Sequence, residues 1–107
     1  MATITRGDSD EYVERVKAAL NDYEAQHPGA VATLYRHSPA SIRIRVVDRT
    51  FKGMSKGDRH DQLWDFLTAR LDEDVQQEIS ILLPLAPEEQ RNSFMNAEFE
   101  DPIPSGL

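Results

Sequence analysis

Residues 42–46 read Ile-Arg-Ile-Arg-Val, and this strict alternation is the most constraining feature of the chain. A period of two places Ile42, Ile44 and Val46 on one side and Arg43 and Arg45 on the other, the pattern of a strand with one buried face. Just upstream, Ala30 to Arg36 is rich in β-branched and aromatic residues and reads as a second strand. Ser38-Pro39-Ala40-Ser41 separates the two as a turn, so the pair is an antiparallel hairpin.

The flanking segments read as helices. Asp8 or Ser9 can cap the first, with Glu11 three residues after Asp8 as in a capping box. Val13, Val16, Leu20 and Tyr23 then recur at steps of three or four, and Pro28-Gly29 ends the run. Ser55 is the expected N-cap of the second helix, whose apolar face reads Leu63, Trp64, Leu67 and Leu71, with His60 one turn ahead. By area Trp64 is the expected centre of the core, packed on Ile42, Ile44 and Val46. Asp72-Glu73-Asp74 can cap a short further turn or helix. Ile79 to Leu85 is nearly continuous in apolar residues and reads as a buried third strand.

The resulting order is α-β-β-α-(α)-β. A helix between the second and third strands demands a crossover, so the third runs parallel to the second. The expected fold is therefore α+β, a two-layer sandwich in which a three-stranded mixed sheet has helices on one face. Residues 8–90 make the domain, 1–7 a flexible N-terminus, and 91–107 an extension with an acidic mobile tail, from which Phe94 and Phe99 can pack back.

Composition narrows the function classes. A length of 107 residues with 39% hydrophobic content suits one domain with one modest core. The chain has no cysteine, which excludes a thiol nucleophile, a disulfide framework and a self-contained Cys-ligated cluster. With no apolar run near the ~20 residues of a membrane span and no leader pattern, the expected location is cytoplasmic. Net charge is −7, but it is segregated. From Arg36 to Arg59 there are seven basic residues against Asp48 and Asp58, so this stretch carries +5 and the remainder −12. Such polarity can steer a partner of matching charge.

The stretch Val46-Val47-Asp48-Arg49-Thr50-Phe51-Lys52-Gly53-Met54-Ser55, followed by Arg59-His60, resembles the BolA family. Ile79-Ser80-Ile81 and Pro87-Glu88-Glu89 resemble that family's last strand and closing Pro-Glu-Glu. The resemblance spans roughly Val13 to Glu89 and implies a class II KH-like fold. It also implies an adaptor for a monothiol glutaredoxin, with a shared [2Fe–2S] cluster. The family's two ligand positions are a His or Cys in the first hairpin loop and a histidine opening the last strand. His37 falls at the first, and Glu78 stands at the second.

No nucleophile–base pair, metal triad or phosphate-loop pattern is present, so the chain reads as a non-enzymatic protein-interaction module. Arg43, Arg45, Arg49, Lys52, Lys56 and Arg59 are the expected partner-binding residues. His37 and His60 are the candidate metal ligands. No resident cofactor is expected, and Glu78 argues against the shared cluster, because carboxylate is a harder ligand than imidazole. The alternative reading is a nucleic-acid-binding module that uses segment 36–59 on phosphates. The charge of −12 elsewhere opposes it.

Overall fold

A computed structural model describes residues 1–92 together with Asn96 and Phe99. The elements in chain order are β1 (Thr3–Ile4), α1 (Glu11–Gln26), β2 (Val31–Ser38), β3 (Ser41–Val47), α2 (Lys56–Thr68), α3 (Glu73–Glu78) and β4 (Ile79–Leu85). Short 3₁₀ turns follow β3 (Arg49–Phe51) and β4 (Pro87–Asn92). The expected α+β class and the α-β-β-α-α-β order from α1 onward are both present.

The strand count differs from expectation. The sheet has four strands in the order β1-β2-β3-β4. Thr3 and Ile4, inside the segment expected to be flexible, pair parallel with Thr33 and Leu34. Two residues carry too little pattern to register as a strand, and their partner contacts supply the order. Beside them Ala2 is buried, and its amide donates to Asn21 Oδ1 at 2.7 Å.

The other pairings are as expected. β2 and β3 are antiparallel, with Leu34 opposite Ile44 and Ala32 opposite Val46. β4 runs parallel to β3, with Leu82 opposite Ile44. β4 is an edge strand, however, and most of its residues are only half-buried. Leu85 C=O accepts from Asp48 N–H and so points toward the β3 side. Its neighbour Pro84 therefore faces the open edge, where a missing N–H breaks no ladder bond.

α1 begins at Asp10, not at Asp8 or Ser9: the Asp10 carboxylate accepts from Tyr12 N–H and Val13 N–H. Val13, Val16, Leu20 and Tyr23 are buried, as the spacing predicts. The chain leaves the helix through Gly29 at φ 89°. Ser55 caps α2 as expected, accepting from Asp58 N–H at 3.1 Å.

One cluster joins α1, the inward face of the sheet, Leu63, Leu67, Leu71 and Val75. Trp64 is not in it. The buried stripe of α2 runs Arg59, Leu63, Leu67 at steps of four, and Trp64 lies about 100° around the helix. There it is half-buried and stacks on exposed His60, with ring centroids 6.3 Å apart. Phe51, from the 3₁₀ turn, fills the aromatic place in the core and is fully buried.

Candidate functional site

Segment 36–59 does not form one surface. The structure divides its seven basic residues into four groups with different surroundings.

Arg36 is the centre of an ion network. Its Nε and Nη2 meet the Asp10 carboxylate, with Nη2–Oδ1 at 3.0 Å, and Nη1 reaches Glu78 Oε1 at 2.8 Å. Nη1 also donates to the carbonyls of Ser38 and Pro39. The start of α1, the end of β2 and the end of α3 are thereby tied together. The hydrogen bond from Arg36 is the main cause that holds the Asp10 carboxyl below its ordinary range.

This network occupies the place where the BolA resemblance implies a cluster. His37 lies in β2 itself, not in a loop, at a register irregularity between Arg36 and Ser38. Its ring meets Tyr35 edge to face. Glu78 offers an oxygen already engaged by a guanidinium, where a soft or borderline ligand is required. These residues do not fit a [2Fe–2S] cluster. His60 stands on α2 beside Trp64, and among the described residues no group of three or more His, Asp or Glu is placed to hold a metal ion.

Arg43 and Arg45 lie on the outer sheet face, but not as an open basic surface. Arg43 Nη1 donates to Tyr35 Oη at 3.1 Å, and Arg45 Nη1 donates to Asn96 Oδ1 at 2.7 Å. Arg59 is not an exposed cation, as its place in the basic segment suggested. It is 5% exposed, its two terminal nitrogens grip the Glu89 carboxylate, and Nε donates to Met54 C=O at 3.1 Å. A buried guanidinium held by these bonds ties α2 to the loop before it and to the chain after β4. Sequence offers no signal for this pairing across 30 residues, because every Arg reads as surface charge.

Arg49, Lys52 and Lys56 remain. All three are exposed, and none makes an ion pair among the described residues. The loop that carries them is firmly built. At its base Asp48 is buried, accepts from Tyr23 Oη at 2.7 Å, and caps the turn by accepting from Thr50 N–H at 2.9 Å. Burial pushes the Asp48 carboxyl up, yet these hydrogen bonds outweigh it and leave the carboxyl below its ordinary range. Tyr23 is in turn stacked on His27, with ring centroids 3.9 Å apart. Phe51 anchors the middle of the loop in the core, and Met54 N–H returns to Phe51 C=O at 3.0 Å. Gly53, at φ 83°, makes the reversal that an L side chain resists. Arg49 and Lys52 thus project from a pre-formed turn between β3 and α2, and Lys56 from the first residue of α2.

No family model, curated protein or solved structure matches the chain. Among the described residues no helix is long and apolar enough to cross a membrane.

Proposed function

We propose that this chain is a non-enzymatic, BolA-like interaction module that docks an acidic protein segment on the loop bearing Arg49, Lys52 and Lys56. The observation that carries the reading is the contrast within segment 36–59. Arg36 and Arg59 are spent on carboxylates of the chain, whereas Arg49, Lys52 and Lys56 stay exposed on a loop fixed at both ends. A pre-ordered loop loses little conformational entropy on binding. The negative charge of the remaining chain orients an acidic partner toward this end and repels it elsewhere. The order of helices and strands from α1 to β4, with a 3₁₀ turn before α2, supports the BolA-like part of the reading.

The test is binding of a fluorescent glutamate-rich peptide by anisotropy, with a single-stranded oligonucleotide of equal charge alongside it. The peptide is expected to bind in low salt and to weaken as salt rises, since exposed charges are screened beyond about 10 Å at 0.1 M. The triple variant Arg49→Glu, Lys52→Glu, Lys56→Glu is expected to lose it. Tighter binding of the oligonucleotide would overturn the reading in favour of a nucleic-acid module.

A further inference from the structure

The outer face of the sheet has a chemistry of its own. Tyr35 on β2 stands opposite Arg43 on β3, and Thr33 stands opposite Arg45. The Tyr35 ring has two guanidinium groups over it, Arg6 at 5.7 Å and Arg43 at 5.9 Å from the centroid. Onto this platform the chain lays its own Phe99. The two rings meet edge to face at 5.5 Å, and the Arg45 guanidinium lies 5.8 Å from the Phe99 centroid. Phe99 is 4% exposed, so the slot is filled. Asn96 and Phe99 are both helical, and a spacing of three sets them on one side. From that side Asn96 Oδ1 accepts from Arg45, while Asn96 Nδ2 donates to Gln90 C=O at 2.9 Å.

In sequence, Asn96 and Phe99 belong to Asn96-Ala97-Glu98-Phe99-Glu100-Asp101, where the aromatic residue is set among acidic ones. That composition complements a face made of Arg6, Tyr35, Arg43 and Arg45: cations attract both a ring face and a carboxylate. We propose that the outer sheet face around Tyr35 and Arg45 is a docking site for an acidic peptide segment of a partner protein anchored by a phenylalanine, which the chain's own Phe99 occupies as a tethered mimic. A tethered occupant acts at millimolar effective concentration, so the site opens only to a partner that outcompetes it. Apparent affinity for the partner is reduced by the fraction of molecules that are open. The site is separate from the Arg49–Lys56 loop and does not depend on the function proposed for that loop.

The experiment titrates a fluorescein-labelled peptide of residues 96–101 against the full chain and its variants, read by anisotropy. Phe99→Ala is expected to bind it about tenfold more tightly than wild type, because the internal competitor is weakened. Asn96→Ala, which keeps the ring contact, is expected to give a smaller gain and serves as the test should Phe99→Ala fail to fold by circular dichroism. Arg45→Gln added to either variant is expected to abolish binding, as is replacing the peptide's phenylalanine with alanine. Equal affinity of wild type and both variants, or no binding up to millimolar peptide, would overturn the proposal. So would binding lost through Arg49→Glu, Lys52→Glu, Lys56→Glu but retained in Arg45→Gln, which would assign the peptide to the loop. Tighter binding of oligothymidylate by the opened variants, or a dimer of the wild-type chain that forms through this face, would overturn it as well.

Discussion

Arg59 and Glu89 meet end on: Nη1 and Nη2 of the guanidinium each face one oxygen of the carboxylate, with Nη2–Oε2 at 2.9 Å. Glu89 Oε1 also accepts from Ala86 N–H at 2.9 Å, so one carboxylate joins α2 to the chain leaving β4. Planar two-point pairing of this kind is stronger and more directional than a surface lysine contact. The hydrogen bond from Arg59 is the largest cause that lowers the Glu89 carboxyl from 4.5 to about 2.

A lowered carboxyl makes stability depend on pH with a definite sign. The contribution is complete above the ordinary value of 4.5 and is lost as pH falls toward about 2. Because Glu89 is more than one-third exposed, solvent screening discounts the Coulombic part. Glu89→Gln, which leaves a buried guanidinium with a weaker acceptor, is expected to cost about 2 kcal/mol at pH 7. Urea unfolding followed from pH 7 to pH 2.5 checks this. The gap between variant and wild type should narrow below pH 4.5, and a constant gap would contradict it.

The core places its aromatic weight on Phe51 and not on Trp64. Phe51→Ala is expected to destabilise by about 3–5 kcal/mol, as for large side chains truncated in a core. Trp64→Ala, which removes a half-buried ring stacked on His60, is expected to cost about 1 kcal/mol. Equilibrium unfolding of both variants under one condition decides the ranking, and a larger loss at Trp64 would refute it.

These cases mark how far the sequence could be read. The alternation at Ile42–Val46 and the steps of α1 are periodic, so the hairpin, the first helix and the parallel crossover follow from pattern alone. On α2 two stripes compete, Arg59-Leu63-Leu67 and His60-Trp64, and size favours the second while the sheet takes the first. A buried arginine is legible only with its carboxylate, and Glu89 is thirty residues away. β1 is too short to show a period, and its order comes from Thr33 and Leu34. At the candidate site the three exposed cations were legible by charge. The separation of Arg43, Arg45 and Arg59 from them was not, because it depends on Tyr35, Asn96, Phe99 and Glu89 packed from elsewhere. Except at Arg91, Asn96 and Phe99, the side chains of the expected acidic extension, Phe94 included, lie outside the described residues.

Glu78 also sets an expectation for the cluster. Anaerobic reconstitution with a monothiol glutaredoxin is expected to give no stable heterodimeric [2Fe–2S] spectrum in visible circular dichroism. The oxygen of Glu78 is bound to Arg36 at 2.8 Å, and releasing it would leave the carboxylate without its cation. A heterodimeric spectrum that disappears on His37→Ala or His60→Ala would restore the cluster function that the BolA resemblance implies.

Beneath the loop, Tyr23 and Asp48 form a buried pair whose loss should be felt in two ways. Burial first, and then the hydrogen bond to Asp48, push the Tyr23 phenol well above its ordinary value of 10.0. A phenol raised on folding adds stability in full below pH 10, and that stability is lost as the unfolded chain ionises above it. In a spectrophotometric titration of the native protein, Tyr23 should therefore stay protonated until the chain unfolds in alkali. Tyr23→Phe removes the hydroxyl and leaves the Asp48 carboxylate with one fewer donor in a buried site. The expected loss is about 1–3 kcal/mol at pH 7, measured by urea unfolding. The silent tyrosine should also vanish from the titration difference. Ionisation of Tyr23 before unfolding, seen as a phenolate signal that wild type has and Tyr23→Phe lacks, would show that the pair is not closed, and that the base of the Arg49–Lys56 loop is less firmly held than the 2.7 Å contact requires.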